Sequence, residues 1–218
     1  MVIDGPAGAG KSTIARSLAR RLGLSMLDTG AIYRTLALAA RREGVSWDDE
    51  AGLSALCQGL PIRFESLADG SQRVLLDGDD VTEAIRTAEI TTGASEVSAH
   101  PAVRGALLGV QRALGEQGCV AEGRDMGTVV FPDASHKFFL TASPLVRATR
   151  RREERLARGD VDVPSVDDVR RAIEERDLRD STREAAPLAQ AEDAVRVDTS
   201  DMDPDAVVER LLALIEGR

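Results

Sequence analysis

Met1-Val2-Ile3-Asp4-Gly5-Pro6-Ala7-Gly8-Ala9-Gly10-Lys11-Ser12-Thr13 decides the fold. It reads as a short apolar strand, a glycine-rich turn and the first turn of a helix. Residues Gly5 to Ser12 match the phosphate-loop pattern G-x-x-x-x-G-K-[ST] without a gap. Glycines let the backbone take positive φ and wrap an anion closely. Successive N–H groups then make a nest for phosphate oxygens, and the helix beginning near Lys11 points its positive end at them. Lys11 reaches the β- and γ-phosphates, and the Ser12 hydroxyl suits Mg²⁺. The candidate nucleotide-binding set is therefore Gly5, Pro6, Ala7, Gly8, Ala9, Gly10, Lys11, Ser12 and Thr13. The loop implies a bound nucleoside triphosphate and is silent on its use. Only four residues precede it, a short strand for the centre of a sheet. That shortness suggests missing natural N-terminal residues.

Outward from the loop, Ile14, Leu18 and Leu22 share one face of a helix over residues 12–22, stopped by Gly23. A strand is expected at 24–27, then a helix capped by Thr29 and running to about Arg42. A short helix follows over about 48–59. The pattern then changes to two strands, 61–66 and 72–77, around a hairpin turn at 68–71. Helices are expected at 87–100 and 102–117, broken at Pro101. Cys119-Val120-Ala121-Glu122 is a buried-strand candidate, and 137–141 the next. Helices from Pro144 and from Ser165 to about Arg179 precede a strand at 194–198 and a helix at 204–215. Strands alternating with helices predict an α/β fold with a parallel sheet covered on both faces, the hairpin being an insertion.

The chain has 218 residues, enough for one domain with a sizeable core. No apolar run approaches a membrane span, and no secretory signal pattern opens the chain. Cys57 and Cys119 lack paired spacing and read as free thiols of a reducing cytoplasm. Two histidines make no histidine metal site. A net charge of −9 argues against a protein built to grip nucleic acid. Lys11 and Lys137 are the only lysines; the remaining positive charge is arginine.

Three further groups sit where chemistry is expected. Asp28-Thr29-Gly30-Ala31-Ile32-Tyr33-Arg34 ends the second strand, where ligands bind in such sheets. Thr29 and Arg34 suit a second phosphate, and Tyr33 a base; a plain helix cap with a core tyrosine is the alternative. Glu122-Gly123-Arg124-Asp125 emerges at the same rim, with Arg124 suited to phosphate and Asp125 to a base amino group. A local surface ion pair is its alternative. Arg147, Arg151 and Arg155 share a helical face, followed by Arg158, then by Arg176 and Arg183 two turns apart. Such a helix is most often a solvated face, but phosphoryl transfer needs positive charge around the moving group.

These segments resemble the bacterial cytidylate kinase family of nucleoside monophosphate kinases. The likeness rests on Ile3 to Thr13, Leu27 to Arg34, Gly123-Arg124-Asp125-Met126-Gly127 through Pro132, and Glu175-Arg176-Asp177 through Arg183 with Ala186-Pro187-Leu188. The third segment is the most specific. The resemblance implies a P-loop kinase fold: a five-stranded parallel sheet flanked by helices, one domain over 1–218, a monophosphate-binding insert at about 60–100 and a short lid at about 149–165. It implies Mg²⁺ and transfer of the γ-phosphate of ATP to CMP or dCMP. By resemblance Thr29, Arg34 and Arg124 touch the CMP phosphate, Ser95, Arg104 and Asp125 read cytosine, Asp180 meets the ribose, and Arg176 and Arg183 come from the lid side. Lys11, Arg124, Arg176 and Arg183 are then the catalytic set and Ser12 the metal residue. Two positions depart from the pattern: Glu122 stands for a common aspartate and Ser12 for a frequent glycine. The reading is a cytoplasmic, monomeric enzyme of pyrimidine nucleotide metabolism, without nucleic-acid or membrane partners. Its rivals are a uridylate, shikimate or other small-molecule kinase, a nucleotide-gated switch, and a nucleic-acid-binding protein.

Overall fold

The computed structural model describes residues 1–67 and 72–217. Strand β1 (Val2–Asp4) leads through the glycine loop into helix α1 (Lys11–Leu22). Strand β2 (Ser25–Asp28) and helix α2 (Thr29–Glu43) follow, then α3 (Glu50–Cys57). The insertion holds β3 (Ile62–Ser66), β4 (Gln72–Leu76) and β5 (Asp79–Asp80), a 3₁₀ turn (Ala84–Arg86), α4 (Ala88–Val97) and α5 (Pro101–Gly115). The main sheet resumes with β6 (Cys119–Glu122), a π-helical segment (Met126–Val130) and β7 (Lys137–Thr141). Helices α6 (Pro144–Ala157) and α7 (Val166–Thr182), strand β8 (Val195–Asp198) and helix α8 (Pro204–Ile215) complete the chain.

The main sheet is parallel throughout and ordered β2-β6-β1-β7-β8. β1 lies at its centre despite its three residues, because the Met1 carbonyl extends the ladder by accepting from Ala121 N at 3.0 Å. Both faces are covered, as continuous apolar strands require. On one side Val2, Leu27 and Ala121 pack with α2, α4 and α5. On the other, Ile3, Val120 and Leu140 pack with α1 and α8. Gly23 and Gly44 end α1 and α2 in the left-handed region, donating back to the last turn.

Four local expectations change. The residue capping α2 is Asp28, whose side chain accepts from Ala31 N; Thr29 is already helical, and its hydroxyl donates elsewhere. Pro101 starts α5 at its first turn, where a missing N–H costs nothing, and α4 has already ended at Val97. The inserted sheet has a third strand, β5, and is antiparallel. Lastly, the segment after Asp125 is π-helical, which apolar periodicity does not anticipate. The hairpin turn expected at 68–71 lies outside the described residues.

Candidate active site

At the carboxyl ends of β1, β2 and β6 the chain opens a cleft of about 1060 Å³. The crevice lies where β1 has neighbours on both sides whose connections leave in different directions, as is usual in open α/β sheets. One wall is the glycine loop. Gly5 has φ +144°, and a Cβ there would lie 2.0 Å from the Leu140 carbonyl oxygen of β7. Gly8 has φ +75° and packs on the Arg147 backbone; Gly10 has φ +87° and caps α1. Ala7, Gly8, Ala9, Gly10, Lys11, Ser12 and Thr13 line the cleft, whereas Gly5 and Pro6 form the base beneath it. Arg147 braces this loop: its Nη1 donates to the Ala7 carbonyl at 2.9 Å and to Asp177, whose carboxylate accepts from Ala7 N at 3.0 Å. This arginine, expected on a solvated or substrate face, is buried structure.

Lys11 is only 5% exposed, and its Nζ donates to the Pro6 carbonyl at 2.9 Å. Burial lowers its pKa, and Arg124 and Arg176 lower it further against the pull of Glu122 and Asp4. The Ser12 hydroxyl donates to Glu122 Oε1, so the two positions that depart from the family pattern touch each other. Burial, then Asp28, raises the Glu122 carboxyl, which Lys11, Ser12 and Arg124 partly offset.

The opposite wall gathers the remaining expected residues: Thr29, Tyr33, Arg34, Ser95, Arg104, Arg124, Asp125, Arg176, Asp180 and Arg183 all line the same cleft. Thr29 Oγ1 donates to the Glu122 carbonyl at 2.7 Å, tying α2 to the end of β6. Arg34 pairs with Asp28 at 2.8 Å. Arg124 and Asp125 do not pair with each other, since successive side chains leave the turn on different sides. Arg124 Nε donates to Asp180 at 2.9 Å, while Asp125 Oδ2 accepts from Arg104 Nη2 and its Oδ1 lies 3.8 Å from Arg183. Asp180 draws in Arg176 at 3.9 Å and Arg183 at 3.8 Å. Burial pushes the Asp180 carboxyl up, but Arg124, Arg176 and Arg183 outweigh it and hold it below the usual range. Arg176 itself is pushed down to about 10 by burial and by repulsion from Arg124.

The base-side residues differ in kind. Tyr33 is buried, with the Arg104 guanidinium 5.3 Å from its ring centre and its hydroxyl oxygen accepting from Gln111 at 3.2 Å. Tyr33 thus supports Arg104 from below and still lines the cleft. Ser95 is buried with a hydroxyl that has no partner among the described residues.

Three contributors are not singled out by the sequence. Asp4, 3% exposed, accepts from Met126 N at 2.9 Å and Gly127 N at 2.8 Å. Asp28 holds Arg34. Arg86 lines the cleft from the 3₁₀ turn. Of these Asp4 and Asp28 stood inside quoted stretches without a role, and Arg86 stood outside them all.

A sequence profile of the family described as cytidylate kinase matches residues 1–217. The cytidylate kinase of Syntrophotalea carbinolica is 53% identical over 220 residues, covering 100% of this chain and 92% of that protein. That of Pseudomonas aeruginosa is 52% identical over 216 residues, covering 97% of this chain and 93% of that protein. The cytidylate kinase of Pseudomonas savastanoi pv. phaseolicola is 50% identical over 220 residues, covering 100% and 95%.

Proposed function

The chain belongs to the cytidylate kinase family, and from that premise we propose how its residues transfer the γ-phosphoryl group of ATP to CMP or dCMP, giving ADP and CDP or dCDP. One observation carries the reading: a phosphate loop and a second, arginine-rich anion site line a single cleft. Two anionic substrates fit side by side there, so the acceptor oxygen can attack in line without a covalent enzyme intermediate.

The loop N–H groups and Lys11 hold the triphosphate of ATP. Thr29, Arg34 and Arg124 hold the CMP phosphate, which is already an anion and needs no general base. Lys11, Arg124, Arg176 and Arg183 surround the moving group and stabilise the charge spread over its oxygens. Ser95, Arg104 and Asp125 read the cytosine edge, and Asp180 meets the ribose. Asp180 also keeps three arginines together before substrates arrive. Residues of about 60–100 form the monophosphate-binding insert and those of about 149–165 the lid. Their closure excludes water, the competing acceptor.

The donor set also fits Mg²⁺. Among the described residues no three His, Cys, Asp or Glu side chains cluster to hold a metal. A hydroxyl and a carboxylate meet at Ser12 and Glu122. Mg²⁺ typically takes one or two protein oxygens and the rest from phosphates and water. Ser12, backed by Glu122, would hold it, and the ion would supply neutralisation of negative charge on the triphosphate. The arginines of α6 are largely tied to carboxylates or carbonyls, which supports a small-molecule site over a nucleic-acid surface. No helix among the described residues is long and apolar enough to cross a membrane. A cytoplasmic monomer completes the reading.

A coupled ADP-release assay across CMP, dCMP, UMP, AMP and shikimate tests it. Turnover is expected with CMP and dCMP; faster turnover with shikimate or AMP would overturn it.

A further inference from the structure

Helix α5 turns inward a face made of Val103, Arg104, Leu107 and Gln111. Gln111 is only 1% exposed and does not line the cleft. Packing alone does not call for an amide there, since Val103 and Leu107 fill the two preceding turns with apolar groups. Its carbonyl oxygen has no partner among the described residues. A buried amide with a single hydrogen bond pays desolvation and adds little stability. That bond is nonetheless specific: Gln111 Nε2 donates to the Tyr33 hydroxyl at 3.2 Å.

Tyr33 carries the contact to the base side. Arg104 and Gln111 are seven residues apart, two helical turns, so they share one face of α5. Tyr33, supplied by α2, spans them: its ring centre lies 5.3 Å from Arg104 Cζ while its hydroxyl meets Gln111. Arg104 is held by its two terminal nitrogens. Nη1 donates to the Ser98 carbonyl at 3.2 Å and Nη2 to Asp125, whereas Nε has no partner among the described residues. Two contacts define a line, about which the guanidinium plane can still rock. The tyrosine face is the third contact and fixes that plane. The hydroxyl sits at the far end of the ring's long axis. Holding it fixes where the ring points, and so how closely it sits beneath the guanidinium.

We infer that Gln111 is a positioning residue for base discrimination: through Tyr33 it sets the plane of Arg104, which in turn holds Asp125 Oδ2 so that Oδ1 faces the base. The idea rests on the base reading proposed above and extends it to a side chain that touches no substrate. With the anchor removed, Arg104 rocks and Asp125 loses its fixed orientation. CMP, the substrate that uses the carboxylate as acceptor, then loses more than UMP.

Gln111→Met keeps the length of the side chain and removes the donor. The test measures kcat/KM for CMP and UMP, KM for ATP and the denaturant midpoint in wild type, Gln111→Met, Tyr33→Phe and the double variant. In Gln111→Met the CMP-to-UMP ratio should narrow by about 5-fold, the scale of one neutral hydrogen bond, chiefly through KM for CMP. KM for ATP should not move, and the midpoint should hold or rise, because an unpartnered carbonyl leaves the interior. A glutamine that only packs would lower the midpoint and leave the ratio alone. Both single substitutions delete the same bond, so the double variant should discriminate no worse than Tyr33→Phe. An unmoved ratio in Gln111→Met, equal losses for CMP and UMP, or losses that add in the double variant would overturn the inference. Should Gln111→Met fail to fold, Tyr33→Phe decides alone, and an unmoved ratio there overturns it. Failure of the base reading is distinguishable: the wild type itself would not prefer CMP over UMP, and the role of Gln111 would fall with it.

Discussion

The two walls of the cleft bind anions by different means. The glycine loop is a main-chain device: three glycines at positive φ, a nest of N–H groups and one lysine, all within nine consecutive residues. The facing wall is a side-chain device assembled from α2, the 3₁₀ turn, α4, α5, the turn after β6 and α7. The first is fixed by backbone geometry and cannot relax when a Cβ is added. The second is held by ion pairs among groups far apart in sequence, and one acid, Asp180, serves three arginines. Main-chain sites recognise what every triphosphate shares. Side-chain sites discriminate, since their donors and acceptors are chosen singly.

The sharpest way to break this contrast is to add one methyl group to the rigid wall. Gly5→Ala places a Cβ 2.0 Å from a backbone carbonyl at φ +144°. Neither neighbour is a flexible side-chain end, so loss of more than ~4 kcal/mol of stability, or failure to fold, is expected. Gly10→Ala meets nothing within 4 Å at φ +87° and should cost only about 1–2 kcal/mol. Denaturant midpoints for the two variants check the order; a Gly5→Ala protein as stable as wild type breaks it.

Lys11 is the loop's one side-chain contributor, and its effect should fall on catalysis. Lys11→Ala should lower kcat by at least ~100-fold, removing charge stabilisation worth roughly 3 kcal/mol. Because Lys11 is buried beside Arg124 and Arg176 and its pKa is depressed, deleting it also removes repulsion, so the fold should not be weakened at neutral pH. Near-normal turnover would remove the loop from the reaction.

The same contrast explains what the sequence discloses. The loop, the strand–helix alternation and the parallel sheet were legible because each is written in neighbouring residues. So were the members of the second wall that sit in motifs, Thr29, Arg34, Arg124 and Asp125. Their pairings were not: Asp125 holds Arg104, 21 residues away, and Arg124 holds Asp180, 56 residues away. Arg147 shared a helical face with Arg151, yet only the fold reveals that it props the loop through Ala7 and Asp177. Arg86 stands outside every motif quoted from the sequence, and only the fold brings it to the cleft.

Asp4 joins the two walls. It ends β1 just before the glycine loop, and both its oxygens accept N–H bonds from the residues just after Asp125. Burial raises its carboxyl from 3.8 to about 6 despite those bonds, with Asp125 adding and Lys11 opposing. A raised folded pKa means the folded state binds the proton more tightly. The stabilisation from that proton is complete below 3.8 and is lost as pH rises through about 6. The stability of wild type minus that of Asp4→Asn should therefore fall between pH 4 and 7, by on the order of 3 kcal/mol, and level off above. Chemical denaturation of both proteins across that range measures it; a flat difference would show that Asp4 does not titrate there.

The smallest expected effect tests discrimination by the second wall. Cytosine carries an amino donor where uracil carries a carbonyl acceptor. Ionised Asp125 offers only acceptors, so it rewards the first and repels the second. Its Oδ2 is already committed to Arg104, leaving Oδ1 on the side of Arg183. In Asp125→Asn the arginine, a pure donor, keeps the amide oxygen, and the amide nitrogen must take the other position. The group facing the base then changes from acceptor to donor. CMP should lose its favourable partner while UMP gains one, narrowing the ratio of kcat/KM values by at least ~10-fold, about 1.4 kcal/mol. Were Asp125 only a brace for Arg104, the variant would slow both substrates alike. Measuring kcat/KM for CMP and UMP in both proteins separates the two roles, and an unchanged ratio would falsify base reading by Asp125.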